Sequence, residues 1–250
     1  MNQDLSEYQI KTLIEMIKDC VDKLKVQGNA LQCLRSVVHR RFVCSELYDL
    51  METVQDMMVS SVDKLTRQLC QSIFLQFLLD YPLENQRIEQ HINFLLKNLS
   101  FRLESGRLQL LNTLKLLFQK LPGKVLEVYC ELFFFSLLLR TVNDESQECR
   151  EQVSSTLTVL LQSFTDSKRA LSAGKLKSIY NSLMKMSCSQ GSGSATKRDQ
   201  LLLAKLSGLQ TLLGIQDSKS STAVSGDKEA TVKTANFLNL SRDDVEEIVS

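Results

Sequence analysis

Two stretches decide the fold: Phe74–Pro82, FLQFLLDYP, and Leu114–Pro122, LKLLFQKLP. They contain the only two prolines in the chain, forty residues apart. Each proline closes a run rich in leucine and phenylalanine. Proline has no N–H to give a helix, and it pushes the residue before it out of the α region. Each run therefore reads as a helix that stops at its proline. Fifteen residues upstream of each proline stands an arginine, Arg67 and Arg107. Counting from Arg67, apolar residues fall at Cys70, Phe74, Phe77, Leu78 and Tyr81. Counting from Arg107, they fall at Leu110, Leu114, Leu117, Phe118 and Leu121. The two sets share one spacing, which lays a single apolar stripe along a helix.

Outward from this pair the stripe recurs. It starts again at Arg150, with Val153, Leu157, Leu160, Leu161 and Phe164. It starts also at Gln27, with Ala30, Leu34, Val37 and Val38, and fails only at Arg41. The starts at 27, 67, 107 and 150 are spaced by 40, 40 and 43 residues. A looser fifth match begins at Asp199, with Leu202, Leu206, Leu209 and Leu213. Partner helices are expected between them at Leu5–Leu24, Ser45–Val59, Glu84–Leu99, Lys124–Leu139 and Ala170–Met186, with Ser45 and Asp63 as N-caps. Two helices per period of about 40 to 47 residues is the HEAT/armadillo signature. The expected fold is all-α: an α-solenoid of about five HEAT-type helical hairpins, each burying its stripe on its neighbours.

The expected organisation is a solenoid over residues 1–187, a linker at 188–196 (CSQGSGSAT falls here), one more helix over 197–216, and a mostly disordered tail at 217–250 with a short terminal helix. No obvious polar capping repeat opens the array, so the chain reads as a segment or short form of a longer one.

Composition narrows the function. Of 250 residues, 43% are hydrophobic, and 30 basic residues face 29 acidic ones. Without a global positive field, contact with nucleic acid is local or carried by a partner. The seven cysteines are odd in number, widely spaced and without a CxxC, so they read as buried reduced thiols. The opening MNQDLSEYQI is polar and does not read as a signal peptide. The longest apolar run, Val125–Leu139, carries Glu127 and Glu131 and falls short of the roughly 20 residues a bilayer needs, so it is expected as a buried helix.

Neither His39 nor His91 has partners at metal-ligand spacing, and both are expected at the surface or half-buried. No nucleophile elbow, phosphate loop, dinucleotide fingerprint or zinc-protease motif occurs. Glu104-Ser-Gly-Arg107 reads as a turn, and Glu145, Glu148 and Glu151 as acids at a helix N-terminus. No enzyme, metal or cofactor is expected. Three basic groups are candidates for RNA or partner contact: Arg35, His39, Arg40 and Arg41; then Lys97, Arg102 and Arg107; then Lys197 and Arg198.

Longer strings go beyond the leucine stripe. CQSIFLQFLLDYPL (Cys70–Leu83), HINFLLKNLSFRLESGRLQLLNTL (His91–Leu114) and FFFSLLLRTVNDES (Phe133–Ser146) strongly resemble the small subunit processome component 20 family. RRFVCSELYDLMETV (Arg40–Val54) is similar to a further segment of it. The resemblance runs from about Tyr8 to Met186. Glu84 replaces a glycine usual in that family, ENQR dilutes a basic turn, and Cys44 stands where proline is frequent. The resemblance implies a long nucleolar HEAT-repeat scaffold that assembles with processome proteins around pre-ribosomal RNA and the U3 small nucleolar RNA. It implies support for the cleavages that release 18S rRNA for the 40S subunit, without catalysis, and no membrane or small-molecule substrate. The alternative expectation is a generic HEAT-repeat adaptor acting outside ribosome assembly.

Overall fold

The computed structural model describes residues 6–163 and 173–185, together with Lys205 and Gly208. The expected linker and tail, the fifth stripe from Asp199, and Cys188, Lys197 and Arg198 lie outside the described residues; of the expected 197–216 helix, only Lys205 and Gly208 are described, both helical. The fold is all-α, and the chain divides into two compact units, Met1–Lys120 and Leu121–Ser250.

Unit 1 is three helical hairpins. α1 (Glu7–Val21) pairs with α2 (Gln27–His39), and α3 (Ser45–Ser60) with α4 (Lys64–Asp80). α5 (Asn85–Lys97) leads through a 3-10 turn at Asn98–Ser100 into α6 (Glu104–Lys120). First helix stacks on first, α1 on α3, and second on second, α2 on α4 and α4 on α6. This hairpin-on-hairpin stacking is the expected HEAT arrangement. The stripe faces inward: Cys70, Phe74, Phe77 and Tyr81 are buried on and just after α4, and Leu110, Leu114, Leu117, Phe118 and Leu121 on and just after α6. Leu78 departs from the pattern and is only half-buried.

The four stripe starts turn out to be more than register marks. Arg67 Nη1 donates to the carbonyls of Ser61 and Val62, at 2.8 Å each. Arg107 Nη1 donates to Phe101 (2.8 Å) and Arg102 (3.3 Å), and Arg150 Nη1 to Asp144 (2.6 Å) and Glu145 (3.2 Å). Gln27 Nε2 donates to the Val21 carbonyl at 2.7 Å. In every case the side chain reaches back to the carbonyl six residues earlier. It thereby satisfies turn acceptors that no helix ladder serves. A guanidinium does this with two charge-assisted bonds where the amide makes one.

Local chemistry sets the helix ends. Asp63 caps α4 by accepting from Thr66 N–H at 2.8 Å, as expected. Ser45 is not a cap: the N-cap of α3 is Cys44, and Ser45 is the first helical residue. At α1, Ser6 and Gln9 form a reciprocal capping box. Glu104-Ser-Gly-Arg107 is not a turn either, because α6 already begins at Glu104. Gly106 serves a close approach. A Cβ there would collide with the Val59 carbonyl oxygen of α3 and lie 2.8 Å from Phe101 Cδ1.

Unit 2 contains α7 (Gly123–Asn143), α8 (Gln147–Gln162) and α9 (Ala173–Lys185), with α7 packed along α8 and against α9. Ser146 caps α8 through Cys149 N–H, and Asp144 Oδ1 accepts from Ser146 N–H at 3.0 Å. The long apolar run lies in α7. One side of it is buried through Leu126, Cys130, Phe133, Phe134, Leu137 and Leu138, while Val128, Leu132 and Leu139 remain exposed. The helix expected there as buried is buried along that one face. No described helix is long and apolar enough to cross a membrane.

Candidate partner-binding surface

The first basic group gathers at the C-terminal end of α2. Arg35, His39 and Arg40 are exposed. Arg41 follows with φ 57, the left-handed stop conformation that usually falls to glycine. Its cost, roughly 1 kcal/mol for a non-glycine residue, is offset by a bond across the hairpins: Arg41 Nη2 donates to Asp80 Oδ1 at 2.9 Å. Next to it, Gln76 Nε2 lies 3.1 Å from His39 Nδ1. The second group separates. Lys97 and Arg102 are exposed near the α5–α6 turn, whereas Arg107 is buried and committed to that turn's carbonyls. Arg107 is thus structural.

Gln76 and Asp80 also line a groove between α4 and α6 that sequence reasoning missed. It measures ≈ 360 Å³ and is bounded by Gln71, Ser72, Leu75, Gln76, Leu79, Asp80, Leu116 and Lys120. Beneath it, Gln71 Nε2 donates to Thr113 Oγ1 at 3.1 Å, and Thr113 Oγ1 donates to the Gln109 carbonyl at 2.7 Å. This buried polar chain fixes the register of α6 on α4. The lining runs from buried Gln71 and Leu75 through half-buried Ser72, Gln76, Leu79, Asp80 and Leu116 to exposed Lys120, residues that flank the two stripes and carry no motif of their own.

The two histidines differ more than expected. His91 is buried, with Nδ1 2.7 Å from Gln55 Nε2 and its ring edge-on to Phe74 and Phe77. Burial, aided by the Arg87 charge, pushes its pKa down to about 4. Burial also pushes the Cys70 and Cys130 thiols up to about 12, so both remain neutral. Among the described residues the cysteines are free, and no cluster of three or more His, Cys, Asp or Glu side chains could hold a metal.

The long strings of the sequence turn out to be staples. In the Asp80-Tyr-Pro-Leu83 segment, Asp80 holds Arg41, Tyr81 Oη donates to the Val38 carbonyl (3.4 Å), and the Pro82 carbonyl accepts from Tyr48 Oη (3.2 Å). Tyr48 also packs on Phe77 and Tyr81, and the Arg87 guanidinium sits 4.4 Å from the Tyr48 ring centre. One short segment thus joins α2, α3 and α4. Gly106 and Arg107 set the approach and turn of α6, and Asp144 with Ser146 shapes the entry to α8.

Over 161 residues, 64% of its length, the chain is 30% identical to the U3 small nucleolar RNA-associated protein 20 of Schizosaccharomyces pombe. Over 135 residues it is 30% identical to the protein of the same name in Saccharomyces cerevisiae. The chain is partly homologous to U3 small nucleolar RNA-associated protein 20. It spans only 6% and 5% of the lengths of these two relatives. No protein-family model matches the chain. The crystal structure of an engineered protein aligns with 95% of this chain and 97% of its own, with a TM-score of 0.42 and 13% identity. The homology to the U3-associated protein is therefore segmental.

Proposed function

We propose that the chain is a non-catalytic scaffold of the small-subunit processome. It supports pre-rRNA processing and 18S rRNA production through contacts with processome proteins and the U3 particle, in the nucleolus. The observation that carries this reading is the segmental homology to two yeast proteins named for association with U3 small nucleolar RNA. Stacked hairpins suit the role, because they offer extended surface for several partners. Exposed Arg35, His39, Arg40, Lys97 and Arg102 are the candidate contacts with partner protein or RNA.

The test uses the tagged full chain in cells. Nucleolar signal and co-sedimentation with U3 small nucleolar RNA are expected, with uncleaved precursor accumulating on depletion. A diffuse signal with no U3 in the pulled-down fraction overturns the reading.

One observation favours a second reading, the adaptor outside ribosome assembly. The strings that carry the homology are occupied in holding hairpins together, so they transmit architecture whatever the partner. Proximity labelling separates the two, since enrichment of non-ribosomal proteins alone would select the adaptor.

A further inference from the structure

We propose that the face of unit 1 formed by its second helices, α2, α4 and α6, binds RNA through the phosphate backbone. Charge in this unit is sorted by helix. The first helices, α1, α3 and α5, carry eight acids against four bases, and α3 carries Glu46, Asp49, Glu52 and Asp56 with no base. The second helices carry two acids against six bases, in a chain whose net charge is only +1. Because α2 stacks on α4 and α4 on α6, those bases belong to one continuous face. Arg67 and Arg107 are buried in their turns. At the surface stand exposed Arg35, Lys64 and Lys120 and half-buried Lys115, with Arg40 exposed at the end of α2. Of the two acids, Asp80 is paired with Arg41, and Glu104 stands apart as the first residue of α6. A basic face on an otherwise balanced chain is the electrostatic footprint of a polyanion site. Between the cations lie amides and hydroxyls, exposed or half-buried: Gln32 and Ser36 on α2, Gln68, Ser72 and Gln76 on α4, and Asn112 on α6. These groups hold phosphate and sugar oxygens beside Arg and Lys. A protein partner would want an apolar centre. Among the described residues, Leu65 is the one exposed large apolar side chain on these helices, and the leucines of the α4–α6 groove are buried or half-buried. The aromatic rings of the three helices, Phe74, Phe77 and Phe118, are all buried, so bases find nothing to stack on and contact falls to the backbone. The inference deepens the processome reading, and it rests on that reading for which RNA the face meets.

The experiment is fluorescence anisotropy on the full chain with two labelled RNA oligonucleotides of one length, oligo(U) and oligo(A), over a series of salt concentrations. Saturable binding is expected, alike for the two RNAs within about threefold and falling steeply with salt. Arg35→Gln and Lys120→Gln should each weaken it about fivefold and lower the slope of log affinity against log salt by about one. Lys18→Gln, which removes an exposed cation from α1 on the other face, should leave it unchanged. All three residues are exposed, so unchanged circular dichroism will show that the fold survives. No binding overturns the proposal, as does a loss in Lys18→Gln equal to that in Lys120→Gln. A preference of more than tenfold for one RNA overturns the backbone mode. Polyglutamate of equal charge that displaces the RNA as well as unlabelled RNA does overturns it in favour of an acidic protein. Failure of U3 co-sedimentation with this binding intact would remove the processome reading alone, whereas co-sedimentation without it would remove this inference alone.

Discussion

Among the described residues, three inter-helix turns are clamped by an arginine and one by a glutamine. At 61–67, 101–107 and 144–150 a guanidinium spans two carbonyls, while at 21–27 an amide holds one. The side chain stands at the same phase of the repeat each time. The difference separates what the position requires, a donor that reaches back six residues, from what strengthens it, a second bond carrying charge. Arg67 and Arg107 are buried, and a buried cation is tolerated only when well bonded. The glutamine needs no such compensation, and its turn is correspondingly lighter.

The 101–107 turn is the place to break this comparison hardest, since Gly106 precedes its clamp. Gly106→Val should cost about 4 kcal/mol in urea unfolding of the full chain, because the added atoms meet the α3 backbone at the Val59 carbonyl, which cannot yield as a side chain can, as well as the Phe101 ring. A loss below about 1 kcal/mol would mean that α3 and α6 can separate freely. Acid gives the next effect and a control on charge. His91 is held near pKa 4 in the fold against about 6.5 in the unfolded chain, so unfolding binds the proton more readily. Stability should be full above pH 6.5 and fall by up to about 3 kcal/mol as the pH drops to 4. His91→Leu should flatten the upper part of that fall, between pH 6.5 and 5. The arginine clamps stay charged throughout, so Arg67 variants should keep the wild-type slope.

Arg67→Ala should cost about 2–3 kcal/mol, from two charge-assisted bonds and the stem's packing. Arg67→Gln, which imitates residue 27, should recover about 1 kcal/mol of that loss, measured by the same unfolding curves. Gln27→Ala should be mildest, about 1 kcal/mol or less, and is best read as faster amide exchange in the 21–27 turn. If Gln27→Ala equals Arg67→Ala, charge adds nothing to the clamp and the contrast fails.

Much of this architecture was legible before the structure. The prolines at 82 and 122 set the register, and the stripe named the buried residues of α4 and α6, because burial follows helical periodicity. Asp63 was legible as a cap for the same local reason. Other features depended on groups distant in sequence. Gly106 read as a turn because only the approach of Val59, forty-seven residues earlier, explains it. His91 reads as a surface or half-buried residue because Phe74, Phe77 and Gln55 lie on other helices. Ser45 looked like a cap one residue too late. The arginines at 67, 107 and 150 mark the register in the sequence, and their clamping of the turns shows only in the structure. Of the basic candidates, sequence could not separate Arg107, which is buried, or Arg41, which is exposed but paired with Asp80, from Arg35 and Arg40, which face solvent. The groove was invisible because its lining comes from the flanks of two stripes.

Gly106 also bears on how such a chain can drift. Glycine costs a helix interior about 1 kcal/mol relative to alanine, so neutral change would tend to replace it, yet every replacement adds the carbon that Val59 excludes. The position can therefore move only together with the spacing of α3 and α6. In diverging descendants, residue 106 should stay glycine until the contact at Val59 is itself remodelled, and the two should then change as a pair.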